Sequence, residues 1–155
     1  MAEENAIMPI SEKLETLGKT LTVVSRNIKV LHWNYNDKDF IPTHLWLDEM
    51  FAEINDCIDA TYEELRKADF TFDAKLSSSA SLSKVPEIES NKLYHHDETF
   101  NILNTACATL KGLCDEIANV AEESKMFTVH DLMVEFINKI NKRHYFIRNS
   151  ILTEN

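Results

Sequence analysis

Glycine occurs only 2 times and proline only 3 times in the 155 residues. Tight β-turns draw on both residues, so an all-β domain built from many hairpins is excluded. No apolar run approaches the ~18 residues that a membrane-crossing helix requires. Basic residues are in the minority: 16 Lys and Arg stand against 26 Asp and Glu, for a net charge of −10. That balance disfavours phosphate backbones and anionic membranes as partners and suits a chain that gathers cations. Cysteine is scarce too, with 3 residues and no CxxC pair. Cys57, Cys107 and Cys114 are therefore expected as small buried hydrophobes in a reducing compartment. The opening MAEENAIMPI has no basic region followed by an apolar core. No signal peptide is read from it, and a cytoplasmic location is expected.

What is present is hydrophobic periodicity. Hydrophobic residues make up 44% of the chain, enough for one domain with its own core and no need of a disulfide. Leu14, Leu17, Leu21, Val24, Ile28, Leu31 and Tyr35 recur at alternating spacings of three and four, one apolar stripe on a long helix. Ser11, after Pro9, is expected to cap its start. Residues 1–10 are read as a short tail, 11–152 as the domain and 153–155 as a second tail. Pro42 suits the first turn of a second helix ending near Lys67, with Leu45, Met50, Phe51, Ile54, Ile58, Tyr62 and Leu65 as its stripe. Residues 69–89, rich in serine, read as a long crossover with room for a short helix. A third helix is expected from about Ser90 to Glu123, and a fourth from Thr128, taken as its N-cap. Two helical hairpins joined by one long crossover make an all-α, ferritin-like four-helix bundle.

The second helix carries the chemistry. His44 and Asp48 lie four residues apart and share a face, as do Asp59 and Glu63. From Asp48 to Asp59 is 11 residues, about three turns plus ~20°, so both pairs point the same way. At ~1.5 Å rise per residue they are nevertheless ~16 Å apart, too far for one chain to close both around one metal. Two antiparallel copies related by a two-fold axis bring His44 and Asp48 of one chain beside Asp59 and Glu63 of the other, making two sites per dimer. His32 on the first helix completes each. Imidazoles with carboxylates suit Fe(II), Mn(II) or Zn(II) and lack the thiolates of a structural zinc site. Spacing alone leaves ordinary solvated acidic faces as an equal reading.

The stretch Leu31-His32-Trp33-Asn34, with His44-Leu-Trp-Leu-Asp48 and Asp59-Ala-Thr-Tyr-Glu63, resembles the ferroxidase signature of Dps proteins, the miniferritins. All five ligand positions match. The resemblance implies a dodecameric shell with iron sites at two-fold interfaces. It also implies oxidation of Fe(II) by hydrogen peroxide, or by dioxygen, and storage of ferric mineral, which protects against oxidative damage. Zinc or manganese are expected as substitutes at the same ligands. No Glu-x-x-His occurs in the chain, which sets aside the di-iron site that other bundles build within one chain. By the same resemblance Trp33 stands near the iron centre, and Asp131, with Glu135 second, lines an ion pore. Glu49 and Glu53 are candidates to nucleate mineral, since clustered carboxylates bind hard cations.

Departures are also visible. Lys67-Ala68-Asp69-Phe70 stands where many members have a Gly-Gly turn, and Tyr145 where many have Trp. His95-His96-Asp97 looks metal-like, but neighbouring helix residues point ~100° apart, so one ion rarely takes both imidazoles. DNA compaction, which the family name invites, is disfavoured. Residues 1–10 hold Glu3 and Glu4 and no Lys or Arg.

Overall fold

The computed structural model describes residues 2–151, with side chains from residue 10 onward. Five helices follow one another: α1 (Ala2–Asn34), α2 (Phe40–Lys67), α3 (Leu76–Leu82), α4 (His96–Glu123) and α5 (Phe127–Ser150). The hairpin partners α1 with α2 and α4 with α5 pack most extensively, α4 also packs on α1, and the short α3 lies against α1. This is the four-helix bundle with a long crossover that the periodicity predicts.

The stripes bury as expected. Leu17, Leu21, Ile28 and Leu31 of α1 meet Leu47, Met50 and Leu65 of α2, Leu103 and Leu110 of α4, and Phe136 and Ile147 of α5 in one core. Each such side chain contributes ~1.5–3 kcal/mol by leaving water. The three cysteines are free and buried in the same core. Burial pushes the thiols up, Cys57 to about 11 and Cys107 and Cys114 to about 12. They therefore stay protonated and pack as hydrophobes.

Helix ends depart from expectation in instructive ways. Helix α1 begins at Ala2, so Ser11 lies inside it rather than capping it, and the tail expected over residues 1–10 is helical from Ala2. Ala2, Glu3 and Glu4 are good helix formers, and Pro9 removes only one donor from the ladder. The boundary expected at 152 and the tail 153–155 lie outside the described residues. Thr128 does not cap α5, which starts at Phe127 after Met126. Its hydroxyl donates instead to the Glu64 carboxylate, 2.8 Å away on α2. Helix α4 starts at His96, not Ser90, because the preceding residues are extended. Tyr94 N–H donates to Asn34 O at 2.9 Å and Asn36 N–H to Tyr94 O at 2.8 Å. Leu45, placed in the α2 stripe, is 58% exposed. Leu47 takes the core position beside it.

Asp69 resolves the missing glycines. It adopts φ 63°, and Phe70 N–H reaches back to Leu65 O at 3.0 Å to end α2. Asp tolerates this left-handed conformation better than most residues, so it terminates the helix where a glycine ordinarily would.

Candidate metal centre

His32 lies in the last turn of α1 and His44 near the start of α2, so the short α1–α2 corner brings them together. Their rings stack with centroids 3.6 Å apart and planes 15° from parallel. Each ring is locked by the other's backbone. His32 Nδ1 lies 2.8 Å from His44 O, and His44 Nδ1 lies 2.9 Å from His32 O. A carbonyl only accepts, so each Nδ1 carries the hydrogen and each Nε2 keeps its lone pair. The His32 carbonyl is one of the unpaired acceptors at the end of α1, and His44 satisfies it. Such an arrangement fixes tautomer and orientation before any metal arrives. Phe40 extends the stack, its ring 4.9 Å from that of His44.

Asp48, one turn beyond His44, is exposed and paired with Lys29 Nζ at 2.5 Å. The Lys29 ammonium holds its carboxyl below the usual range. Lys29 itself sits over the Phe51 ring at 4.5 Å. The structure thus places His32, His44 and Asp48 at one end of α2 beside a cation of their own chain. Neither Lys29 nor Phe40 was singled out from sequence. The available signal was spacing: Lys29 is three residues before His32, and Phe40 four before His44, on shared helix faces.

Asp59 and Glu63 lie farther along α2, exposed and without hydrogen bond or ion pair among the described residues. Among the described residues, no group of three or more His, Cys, Asp or Glu is close enough to hold a metal ion within the chain. The other candidates divide. Trp33 is 57% exposed, with the Arg26 guanidinium 5.8 Å from its ring. Glu49 is exposed. Glu53 accepts from Arg143 Nε at 2.7 Å, which ties it to α5. Asp131 is exposed, 3.5 Å from His130 Nδ1, while Glu135 pairs with Lys139 at 3.1 Å. His95 and His96 have structural partners, Asn36 O for the first and Asp39 and Ser150 O for the second.

The ferritin-like domain family matches residues 4–153 of the chain. Among solved structures, the antigen TpF1 from Treponema pallidum is similar at a TM-score of 0.92 and 18% identity, covering 96% of this chain and 95% of its own. Dps from Thermosynechococcus elongatus is similar at 0.92 and 16%, covering 100% of this chain and 98% of that one. A Dps protein from Vibrio cholerae O1, described as a member of a broad superfamily of ferritin-like diiron-carboxylate proteins, is similar at 0.88 and 17%, covering 94% and 90%. No curated protein matches the chain by sequence. No helix among the described residues is long and apolar enough to cross a membrane.

Proposed function

The chain belongs to the ferritin-like family, and on that premise we propose that it takes up Fe(II) between two copies of itself and oxidises it with hydrogen peroxide. The ferric product is stored inside a shell of twelve chains. Its fold is shared with Dps structures, which supports the resemblance read from the block His32 to Glu63. The observation that carries the reading is the reciprocal locking of His32 and His44. It leaves both Nε2 atoms free of the chain's own carbonyls, at the end of α2 that also carries Asp48 one turn beyond His44. The missing oxygen donors, Asp59 and Glu63, are ~16 Å away on the same helix, where a two-fold partner would deliver its own pair. Around the His pair, Trp33, Phe40, Ile41 and Leu45 are all at least 40% exposed. An apolar rim of this kind on a monomer supports burial against a partner.

The division of labour follows from the donors. The imidazoles bind Fe(II) without adding charge. The carboxylates favour the harder, more highly charged Fe(III), which makes electron loss easier. One peroxide accepts one electron from each of two Fe(II) ions and two protons, its O–O bond breaks, and two waters form. Lys29 occupies the Asp48 carboxylate in the chain alone, so it is the group Fe(II) displaces or shares. Zinc and manganese suit the same donors, and dioxygen is the alternative oxidant. Asp131 is proposed to line an entry path and Glu49 to face stored mineral, while Glu53 is committed to Arg143 in the chain alone.

Anaerobic Fe(II) titrated with peroxide tests this reading. Oxidation is expected to finish at one peroxide per two iron ions, and far faster than in buffer. A rate equal to that of buffer would refute it. The alternative of DNA compaction predicts the opposite of what the charge implies. At −10 per chain, duplex DNA is expected to migrate unretarded in a gel shift at physiological salt and neutral pH. Salt-sensitive retardation would show that a basic surface has been overlooked.

A further inference from the structure

At the α1–α2 corner, His96 joins three elements. It is the first residue of α4, and its backbone N–H donates to Asp37 Oδ2 at 2.9 Å. Its ring Nδ1 lies 2.9 Å from Asp39 Oδ2 and 3.2 Å from the Tyr35 hydroxyl. Its Nε2 lies 2.7 Å from Ser150 O, at the end of α5. The Tyr35 hydroxyl has already given its hydrogen to Asp39 Oδ1, at 2.5 Å. Every group facing the two ring nitrogens is therefore an acceptor: a carboxylate, a phenol oxygen whose hydrogen is spent, and a carbonyl.

A neutral imidazole donates from one nitrogen only and would set a lone pair against an oxygen at the other. The geometry is satisfied only by the imidazolium. The acids around it favour that form, while Lys38, which lines the same cavity together with His95 and Glu98, opposes it. Asp37 and Asp39 approach from the α1–α2 connection, and Asp97 acts from α4 itself. From α5 the Ser150 carbonyl faces it, and the Phe100 ring of α4 lies 4.7 Å away. The N-terminus of α4 opposes a positive charge at this position, and the acids offset it.

We propose that His96 is a proton-operated clasp. Charged, it ties the last turn of α5 to the α1–α2 corner; uncharged, it keeps one of its two tethers and frees the other. The Ser150 carbonyl is one of the acceptors left unpaired at the end of a helix, so His96 provides its tie within the chain. On the other side Asp39 also accepts from the Thr43 hydroxyl at 3.0 Å. That side is held by several groups, and the α5 side gives way.

The sign of the pH dependence follows. Burial works against the charged ring, but the Ser150 carbonyl and the Asp39 carboxylate outweigh it and raise the imidazole above its ordinary value. The tether is then complete below a pH of about 6.5 and lost as pH rises through the higher folded value.

Hydrogen exchange read by mass spectrometry on the full-length assembly tests the clasp without reference to iron. Two quantities are followed from acid to mildly basic pH: exchange of the His96 ring C–H, which reports its protonation, and amide protection of a peptide spanning the end of α5. Amide rates are corrected for the intrinsic effect of pH. Protection at the end of α5 is expected to fall by about tenfold with a midpoint matching that of the ring and above ~6.5. A peptide from the middle of α4 should not change. His96→Gln, which is neutral at all these pH values, should show the low protection throughout. A ring midpoint at or below the ordinary value would overturn the clasp, as would protection that does not follow it or a pH dependence that survives in His96→Gln. If His96→Gln fails to fold, the coincidence of the two wild-type midpoints decides.

Discussion

Two inactive variants of this chain, refolded together, should recover iron oxidation. One is His44→Ala/Asp48→Ala, the other Asp59→Ala/Glu63→Ala. Alone, each leaves every intersubunit site with half its donors, and most peroxide-driven oxidation should disappear. Metal sites tolerate little loss of geometry, so the remaining half does not substitute. His32 stays with the His44 half, because the two rings stack within one chain. In a mixed dimer both lesions fall at one site, and the other has its full complement. With random pairing about half the dimers are mixed and one of their two sites is intact, so about a quarter of wild-type activity should return. Mass spectrometry verifies that mixed dimers are present. Activity no higher than in either parent, with mixed dimers in hand, would rule out a site shared between chains.

The second expected result concerns a glycine that ordinary helix reasoning would replace. Gly18 lies inside α1, where alanine gains ~1 kcal/mol in a solvated helix. Here the added Cβ would lie 2.6 Å from Tyr62 Cζ and 2.9 Å from two further atoms of that side chain. The tyrosine ring cannot swing aside freely, because it stacks on Phe72 at 4.5 Å. Overpacking of this kind costs ~1–3 kcal/mol. Gly18→Ala should therefore lower stability by about 1 kcal/mol net, or more if the ring cannot yield, and the melting temperature by a few degrees. Gly112 is the internal control. Nothing lies within 4 Å of its Cβ position, so Gly112→Ala should raise stability. The double variant Gly18→Ala/Tyr62→Leu should recover part of the loss. Thermal and chemical denaturation of the three variants checks the set, and a Gly18→Ala protein as stable as wild type would dismiss the close approach. The contact matters for function as well, since Tyr62 adjoins Glu63 on the helix that carries the proposed ligands.

Both results rest on different kinds of legibility. The four long helices were readable because their cause is local: an apolar residue every three or four positions, as in Leu14 to Tyr35. Four of the five candidate ligands were readable as a set for a related reason, although only the resemblance, which added His32, separated them from an ordinary acidic face. His44, Asp48, Asp59 and Glu63 lie on one helix, and a fixed angle per residue is enough to show that they share a direction. The same rise per residue showed that they cannot meet within one chain.

Helix ends were less legible, because their partners come from elsewhere. Thr128 has the chemistry of an N-cap, but the buried Glu64 carboxylate of α2 claims its hydroxyl. The start of α4 is set by Asp37, 59 positions upstream. Glu53 looked like a free acid on a ligand-bearing helix, and Arg143, 90 positions away, holds it.

Sequence by itself thus determined the helical class and the crossover, and it nominated the candidate ligands, since each depends on repeats along a single segment. Tertiary structure alone decided which nitrogen of His32 and His44 is left for a metal, why α1 carries a glycine opposite Tyr62, and why His96 needs its second proton. Each of those turns on an acceptor or a ring brought in by another helix, and no periodicity along one helix records how another docks against it.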